Sequence, residues 1–385
     1  MAAEMIYLDA AATTAVRRDA LEAAWPYLTG NFGNPSSHHT IGEAAARALA
    51  DARARVARWL GCRAGDIVFT SGGTEADNLA VKGIALANPR GRHIVTTRIE
   101  HEAVLESVEY LQRHHGFDVT FAETDRAGLV RAHALSAAMR DDTTLVSIAY
   151  ANNEVGTVQP IAQLAEVAHE RGAVFHTDAV QAAGWLNCSP SVLGVDAMSI
   201  SGHKLGAPKG IGVLFVRGRI RLEPVLHGGG QERGRRSGTE NVAWAVALAT
   251  AVELTEADRE ANAAAAIDVR DRFIASVRAH VPGAELTGDD VHRLPATASF
   301  VFPGTNGEAV LLELERRGVV SSSGSACAAG SEDASHVLLG LGYAEDIART
   351  AVRFSWSADV DASRLMHVAS EVRDAVGAVR ALASV

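Results

Sequence analysis

The sequence predicts an α/β protein with a mainly parallel sheet, and three observations support this prediction. Between residues 67 and 216, short apolar segments of strand length alternate with segments of helical periodicity. The strand-like segments are almost entirely apolar, as expected for strands that helices cover on both faces. Turns rich in glycine and hydroxyl residues follow several of them, and open α/β sheets bind ligands at this edge.

The individual elements follow the chain in this order. A short strand at 6–9 precedes a loop at 31–37 and an amphipathic helix at 37–60. Sheet strands are then expected at residues 67–69, 94–96, 145–149, 174–176, 196–200 and 211–216, and helices from residues 74, 102, 161 and 179. An alanine-rich helical region at 241–281 leads to the last predicted elements, which are strands at 298–302 and 352–355 and a helix at 307–317.

These elements indicate two domains. The regular alternation predicts a large α/β domain at residues 15–258. The later elements predict a smaller α+β domain formed by residues 1–14 and 259–385. A chain of 385 residues is long enough to bury a separate core in each.

Composition and charge restrict the class of protein. The start of the chain lacks a basic segment, and the longest apolar run, residues 242–252, is too short to cross a bilayer. We therefore expect a cytoplasmic protein without a membrane segment. A net charge of −10 argues against direct binding of nucleic acid. The three cysteines are widely spaced and form no CxxC motif, which predicts neither a disulfide framework nor a metal site.

A lysine follows the predicted strand at 196–200, in the sequence Ser201-Gly202-His203-Lys204. On a tight turn beside small neighbours, a lysine amine can be held partly desolvated, which is the state that a Schiff-base lysine needs. The alternative is an ordinary solvated lysine in a β-turn.

The segment 71–75, Ser-Gly-Gly-Thr-Glu, connects an apolar strand directly to a helix. Glycines allow backbone N–H groups to approach a ligand closely, and a helix N-terminus favours an anion. The segment therefore predicts a phosphate site, although no P-loop lysine follows it. The alternative is a helix that is capped by Ser71 or Thr74.

Polar side chains also follow other predicted strands. Asp178 could keep a pyridine nitrogen protonated while Gln181, three residues later, reaches a ring hydroxyl; the alternative is a helix-capping aspartate. His101 could stack on a planar ring or move protons, or could be structural. Asn152 and Asn153 could orient a ligand or shape a turn.

Two glycine-rich loops complete the candidate site. Residues 227–241 are rich in glycine and arginine and could surround an anion, also across a subunit boundary; a flexible surface loop is the alternative. Residues 321–331 contain only small and polar side chains apart from Cys327, which favours a reactive cysteine on a mobile loop. Cys62 and Cys188 lack such a setting and are expected to be inert.

Six of these residues, in this order along the chain, resemble the signature of the cysteine desulfurases, which are pyridoxal-phosphate enzymes of aminotransferase fold type I: Thr74, His101, Asp178, Gln181, Lys204 and Cys327. The resemblance extends over nearly the whole chain, and the combination of Ser-Gly-His-Lys with Ser-Ser-Gly-Ser-Ala-Cys is highly specific. The cysteine segment is similar to that of the group with the longer mobile loop. The resemblance implies a seven-stranded, mainly parallel sheet in the large domain.

The resemblance also implies how the cofactor, pyridoxal 5'-phosphate, would be held. Lys204 would bind it covalently, Asp178 would pair with its ring nitrogen, and Gln181 would contact its phenolic oxygen. His101 would stack on its ring and assist proton transfer. The phosphate would be held by Gly73, Thr74, Ser201, His203 and, from the other subunit of a homodimer, Thr239.

The substrate and products are implied in the same way. L-cysteine would be bound through its carboxylate by Asn153 and Arg353 and converted to L-alanine, while Cys327 keeps the sulfur as a persulfide for an acceptor protein. The acceptor stays open between Fe–S cluster assembly, tRNA thiolation and DNA phosphorothioation. The chain departs from the family pattern at Ala334, where a proline is expected, and its tail, which ends at Val385, is short, which disfavours the usual Fe–S scaffold as the acceptor.

Two other kinds of function remain as alternatives. A selenocysteine lyase or a class-V aminotransferase would use the same cofactor but would have little need for Cys327. A catalytically silent scaffold of the same fold would have no physical reason to retain Lys204, Asp178 and His101.

Overall fold

A seven-stranded sheet forms the centre of the larger part of the protein, with strand order β2-β8-β7-β6-β5-β3-β4. The computed structural model describes residues 5–88, 90–323 and 334–383. Strands β4, β3, β5, β6 and β7 run parallel, whereas β8 lies antiparallel to both of its neighbours, β7 and β2. The prediction of an α/β fold with a mainly parallel sheet is therefore confirmed.

The strands of the described residues are β1 Ile6–Tyr7, β2 Ile67–Thr70, β3 His93–Thr96, β4 Asp118–Phe121, β5 Thr143–Ser147, β6 Val174–Asp178, β7 Ala197–Ser201, β8 Gly212–Val216, β9 Glu285–Leu286, β10 Thr297–Val301, β11 Val319–Val320 and β12 Ala351–Ser355. The helices are α1 Arg18–Thr29, α2 Thr40–Leu60, α3 Gly73–Ala87, α4 Glu102–His115, α5 Ala132–Ala138, α6 Ile161–Glu170, α7 Pro190–Leu193, α8 Val242–Ala257, α9 Arg259–His280, α10 Gly307–Arg316, α11 His336–Gly340, α12 Glu345–Ala348 and α13 Ala362–Ala383.

Helices cover both faces of the large sheet, which explains why its central strands are apolar. Every residue of β5, β6, β7 and β8 is buried. Helix α8 is also apolar on nearly all sides because it packs against α1 and α2, and its buried residues belong to the same hydrophobic core as the sheet strands. This burial holds the carboxyl ends of the parallel strands in fixed positions.

A second hydrophobic core lies in the C-terminal part of the chain. Helices α9 and α13 pack on a three-stranded antiparallel sheet of order β12-β10-β9. Its centre is aromatic, and Phe273 makes edge-to-face contacts with Phe300, Phe354 and Trp356. The N-terminal strand β1 pairs with β11, and Leu8 belongs to this second core. The two cores agree with the expected organisation, while the exact domain bounds stay a prediction.

The structure differs from the sequence prediction in a few local elements. The short helix expected near Ala179 is wrong, because residues 180–185 form successive turns that include Gly184, which has a positive φ of 85°. Helix α2 begins at Thr40 rather than at residue 37, since His39 caps it by accepting a hydrogen bond from the N–H of Gly42. Strands β4, β9 and β11 and helices α1, α5, α7, α11, α12 and α13 were not predicted. Among the described residues, no helix has the length and apolar character to span a membrane.

Candidate active site

A cavity of about 340 Å³ lies at the carboxyl ends of β6 and β7, beside the N-terminus of α3. Among the predicted site residues that the structure describes, all except Thr239 line this cavity. Its position agrees with the rule that open α/β sheets bind ligands where their parallel strands end. The strand C-termini, the first turn of α3 and strand β12 of the second core each contribute side chains.

The turn between β2 and α3 is built to receive an anion. Helix α3 has Gly72 as its N-cap and no side-chain capping bond, so the expectation of a cap by Ser71 or Thr74 is wrong. A Cβ atom on Gly73 would lie only 2.8 Å from Cγ2 of Val180 and 3.4 Å from Cβ of Ser201. A side chain at this position would therefore clash, and the helix start, whose residues Gly73 and Thr74 line the cavity, has N–H groups without a capping side chain.

The amine of Lys204 is held at the edge of the cavity by backbone carbonyl groups. Lys204 ends a short 3-10 turn, Gly202–Lys204, which follows β7. Its Nζ donates hydrogen bonds to the carbonyl oxygens of Ala11 and of Ala12, the latter at 2.6 Å. The side chain is half-buried. This lysine is therefore ordered within the site, unlike a solvated lysine of a surface turn.

The carboxylate of Asp178 lies at the end of β6, on the same cavity. Its Oδ1 accepts a hydrogen bond of 2.8 Å from the N–H of Val180. Burial raises the pKa of Asp178 above its usual value, while the nearby His101, that hydrogen bond and Lys204 act in the opposite direction. A cationic ligand beside Asp178 would therefore stabilise its charged form. Gln181, which also lines the cavity, donates from Nε2 to the carbonyl oxygen of Ala11 at 3.0 Å.

The two predicted histidines of the site occupy different environments. His101 is the N-cap of α4, where its Nδ1 accepts a hydrogen bond of 3.0 Å from the N–H of Ala103. It therefore has a structural contact and also lines the cavity. Burial, together with the charges of Lys204 and Lys209, lowers the pKa of His203 to about 4. His203 is consequently neutral at neutral pH, and its Nδ1 lies 3.1 Å from Oγ1 of Thr13.

Arg353 enters the cavity from the second core, on strand β12. Its Nη1 donates to the carbonyl oxygen of Asn153 at 2.8 Å, and its Nη2 donates to Oδ1 of Asp9 at 2.8 Å. Asp9 was not predicted as a site residue, because 344 residues separate it from Arg353. The neighbouring Asn152 shapes the turn, since its Oδ1 accepts from the N–H groups of Glu154 and Val155 at 2.9 Å. Of the two adjacent amides, only Asn153 lines the cavity.

Two buried acids of this region were also missed by the sequence analysis. Asp77, on the first turns of α3, lines the cavity and is 1% exposed. Glu100, directly before the N-cap of α4, accepts hydrogen bonds from Oγ1 of Thr97 at 2.7 Å and from the N–H of Ala149 at 2.8 Å. Burial raises the pKa of Glu100 to about 8. The only sequence signal was an acidic residue near a helix start, which is common and therefore uninformative.

The glycine- and arginine-rich loop of residues 227–241 is hydrogen-bonded to the turn at residues 71–75, where the sequence predicts a phosphate site. Arg236 donates from Nε to Oε1 of Glu75 at 2.7 Å, and Oε2 of Glu75 accepts from the N–H of Ser71 at 2.8 Å. Glu232 of the same loop is buried against Arg53. These contacts anchor the loop at two points, although most of its residues lie at the surface. Thr239 lies exposed at the end of this loop and is not among the residues that line the cavity of its own chain.

Cys327 lies outside the described residues, and the chain on either side of it is anchored at the cavity. On the N-terminal side, the N–H of Arg353 donates to the carbonyl oxygen of Ser322 at 2.6 Å. On the C-terminal side, Oγ of Ser335 donates to Oε2 of the buried Glu154 at 2.5 Å. Ala334, where a proline was expected, packs against a small apolar cluster.

The other two cysteines have the unreactive environments that the sequence analysis expected. Cys188 is buried, and Cys62 is half-buried. Burial raises the pKa of each thiol to about 12. Because the thiolate is the nucleophilic form, these side chains are inert at neutral pH.

The residues of the cavity fit pyridoxal 5'-phosphate. The uncapped start of α3, with its essential Gly73, suits the phosphate, and the buried carboxyl group of Asp178 suits a protonated ring nitrogen. Lys204 offers a primary amine on the same cavity. The donor set therefore matches an anionic group, a cationic ring and an aldehyde in one ligand.

Comparison with known proteins identifies the family. Residues 6–365 match the model of the class-V aminotransferases. A cysteine desulfurase IscS of Methanosarcina thermophila is 43% identical over 371 residues, which cover 95% of this chain and 91% of the relative. A solved NifS-like protein superposes with a TM-score of 0.90 at 34% identity, over 97% of this chain and 99% of that one. A structure described as SspA in complex with cysteine has a TM-score of 0.80 at 37% identity, over 91% of this chain and 98% of that one.

The chain belongs to the class-V aminotransferase family and, within it, to the cysteine desulfurases. Members of this group depend on pyridoxal phosphate. The family, the fold type, the cofactor and the enzyme class that the sequence predicted are therefore confirmed.

Proposed function

We propose that this cysteine desulfurase takes sulfur from L-cysteine, releases L-alanine, and carries the sulfur on Cys327 to an acceptor protein. The observation that carries the proposal is the arrangement of Lys204, Asp178 and Arg353 around one cavity. These residues supply an amine, a carboxylate and a guanidinium, which are the groups needed to hold the cofactor and an amino acid together. The similarity to SspA, solved in complex with cysteine, supports L-cysteine as the substrate.

Each side chain around the cofactor has a role in this proposal. Lys204 binds the cofactor covalently, Asp178 pairs with its ring nitrogen, and Gln181 contacts its phenolic oxygen. Gly73, with the start of α3, receives the phosphate, to which the Thr74, Ser201 and His203 side chains contribute. His101 stacks on the ring. When bound, pyridoxal phosphate supplies an electron sink for the bonds that break at the substrate.

Proton transfer and substrate orientation fall to residues of this chain. The amine of Lys204 takes the proton from the substrate Cα as general base, and His101 assists in returning protons. Arg353 binds the substrate carboxylate, since a guanidinium fork matches a carboxylate with two hydrogen bonds. In the present arrangement the Arg353 fork contacts Asp9 and the carbonyl of Asn153. The substrate carboxylate therefore either replaces these two partners of Arg353 or binds beside them.

The sulfur transfer is a nucleophilic displacement at the substrate sulfur. The Cys327 thiolate forms an S–S bond with that sulfur while the substrate C–S bond breaks, and the electron pair of the broken bond stays with the carbon skeleton. Protonation of that skeleton gives alanine, and Cys327 remains as a persulfide. Cys62 and Cys188, with thiol pKa values of about 12, do not compete for this step.

The proposal includes a homodimer. Leu21, Trp25 and Leu28 lie on one face of α1 and are each at least 45% exposed, although the opposite face of this helix packs on α8. Phe32 and Ile41, also exposed, lie just beyond it in the chain. A second copy covering this apolar surface would explain it. Thr239, exposed in its own chain, would then contact the partner's phosphate site.

The class of the sulfur acceptor is inferred from the charge of this protein rather than from a sequence motif. We propose a cytoplasmic protein that hands sulfur to another protein, without direct contact to nucleic acid or membrane, because the net charge of −10 disfavours polyanions. Fe–S cluster assembly, tRNA thiolation and DNA phosphorothioation are the pathways in which such a persulfide is used.

The proposed function is tested by incubating the purified protein with L-cysteine and measuring alanine and cofactor absorbance. We expect alanine from the native protein, and a cofactor band that borohydride bleaches by fixing the cofactor to Lys204. In Lys204→Ala, both the covalent attachment and alanine formation are lost. Alanine formation at the native rate by this variant would overturn the role of Lys204.

A further inference from the structure

Three buried carboxyl groups lie beneath the proposed cofactor site. Asp77 belongs to α3, Glu100 precedes α4, and Asp178 ends β6. Each is at most 8% exposed. Because like charges at short range in a medium of low dielectric oppose ionisation, these three groups do not all ionise together. The distribution of protons among them therefore determines the charge that a bound cofactor meets.

Two neighbouring basic side chains favour Asp178 as the ionised member. His101 and Lys204 both stabilise its charged form. Burial raises the pKa of Asp77 well above its usual value, and the charge of Asp178 raises it further. The histidine nearest to Asp77 does not compensate, because burial lowers the pKa of His176 to about 3 and keeps its ring neutral.

Hydrogen-bond geometry also favours a protonated Asp77. Its Oδ1 has no hydrogen-bond partner in the described part of the chain and lies 3.8 Å from Nε2 of His176. A buried carboxylate with a bare oxygen is far less stable than the neutral acid. The Ser199 hydroxyl, which acts on Asp77 as a hydrogen-bonding neighbour, lowers the pKa of Asp77 and only partly offsets the larger effects of burial and of Asp178.

A protonated Asp77 gives the buried polar groups one consistent direction of donation. Ser199 Oγ lies 3.0 Å from Nε2 of His176, and Ser147 Oγ lies 2.9 Å from its Nδ1. Asp77 then donates to Ser199, Ser199 donates to Nε2, and the Nδ1–H of His176 donates to Ser147. His176 and Asp178 are two residues apart on β6 and so lie on the same face of the sheet. The chain of hydrogen bonds therefore supports the strand segment that carries Asp178.

We propose that Asp77 is a positioning residue of the desulfurase reaction: it remains a neutral acid behind Asp178 and, through Ser199 and His176, orders the end of β6 so that Asp178 alone presents a negative charge to the cofactor ring. The inference rests on the proposed roles of Asp178 and the cofactor. It adds a residue that lines the cavity and acts on the cofactor through Ser199, His176 and Asp178.

The experiment compares native holoenzyme with Asp77→Asn and Asp77→Ala, using two readouts besides activity. These are the pH midpoint of the absorbance change of the bound cofactor and the cofactor dissociation constant. Asparagine reproduces the size and neutrality of the acid, so we expect its midpoint to stay within about 0.3 pH unit of the native one. Alanine removes the hydrogen bond to Ser199, so we expect about tenfold weaker cofactor binding. Circular dichroism of both variants reports that they are folded.

Two results would overturn the inference. A midpoint that falls by about one pH unit in Asp77→Asn would show that Asp77 carries a negative charge in the holoenzyme. Cofactor binding as tight in Asp77→Ala as in the native protein would show that Asp77 positions nothing. Either result leaves the proposed function intact if the native protein produces alanine. Failure of the native protein to bind the cofactor would instead overturn the proposed function, and the inference with it.

Discussion

Two groups of buried charged residues in this protein have opposite designs. In the first, Arg53 and Glu232 form a bidentate pair with N–O distances of 2.6 and 2.5 Å. The N–H of Phe69 also donates to this carboxylate, and Arg53 donates to the carbonyl oxygen of Ile67. In the second, at the cavity, Asp77 and Asp178 are buried acids whose pKa values are both raised by burial, and the charge of Asp178 raises the pKa of Asp77 further.

The difference separates a structural from a functional use of buried charge. The Arg53–Glu232 pair is complete within the chain, so it holds the loop of residues 227–241 against the sheet without any ligand. The acids at the cavity are not fully compensated by charges of the chain itself, because a further cation would stabilise Asp178. Sites that bind ligands retain such unfavourable arrangements in the free protein. Removal of a charge should therefore have opposite effects on folding in the two groups.

The largest effect is expected at Asp178. Asp178→Asn removes the negative charge that pairs with the cofactor's ring nitrogen, so turnover should fall by roughly 10³-fold. The cofactor-free variant should be at least as stable as the cofactor-free native protein, because an acid that burial disfavours has been replaced by a neutral group. Alanine formation and the thermal midpoint without cofactor check the two parts. A cofactor-free variant with a clearly lower midpoint would contradict the comparison.

At the other group, the same kind of change should impair folding. Glu232→Gln leaves the buried Arg53 without a counter-charge, and we expect the free energy of unfolding to fall by about 3 kcal/mol. Denaturant unfolding of the cofactor-free protein measures this. Glu22→Gln is a matched control, because its ion pair with Arg18 is exposed and should contribute less than about 0.5 kcal/mol. Equal effects of the two substitutions would remove the basis for calling the Arg53 pair structural.

Recognition of the substrate gives a smaller effect. Arg353→Lys keeps a positive charge but loses the two-pronged fork, so KM for L-cysteine should rise by roughly tenfold or more while kcat changes less. Arg349→Lys is the control, because Arg349 is exposed and pairs with Glu345. The prediction fails if Arg353→Lys changes kcat alone and leaves KM at the native value.

The smallest effect concerns pH. Glu100 has a pKa of about 8 when folded and near 4.5 when unfolded, so between these values the folded chain holds a proton that the unfolded chain has lost. Its contribution to stability is therefore largest at low pH and declines as the pH rises to about 8. From pH 8 to 6.5 the cofactor-free native protein should gain about 1.7 kcal/mol relative to Glu100→Gln.

The control for the pH experiment is the neighbouring, exposed Glu102. Glu102→Gln should keep the native dependence of unfolding free energy on pH. If Glu100→Gln also keeps the native pH dependence, Glu100 does not titrate in this range. The claim that burial beside other acids raises the pKa of Glu100 is then wrong.

Local sequence was sufficient to predict the residues that follow strands. Lys204 and Asp178 belong to short motifs at strand ends. Because parallel strands end at the same edge of the sheet, such motifs come together independently of the conformation of the connecting loops. Contacts between distant segments were not predictable in this way. Asp9 meets Arg353 only because β1 joins the second core, and Glu232 is buried only because Arg53 lies opposite it.

The fold shows the same limit. Apolar segments predicted the strands but not their direction, so the antiparallel β8 could not be distinguished from its parallel neighbours. Asp77 had the sequence context of an ordinary acid near the start of a helix. Its burial depends on β6 and β7, which lie far along the chain.

The most direct test of the account is alanine and sulfide release from L-cysteine by Cys327→Ser, with cofactor absorbance followed in parallel. Cys62→Ser, which removes a half-buried thiol with a pKa of about 12, is the matched control. The account predicts that Cys62→Ser makes alanine at the native rate, whereas Cys327→Ser retains its cofactor but does not turn over L-cysteine to alanine. Alanine formation at the native rate by Cys327→Ser would show that Cys327 is not the sulfur carrier and would favour a lyase that releases its product directly.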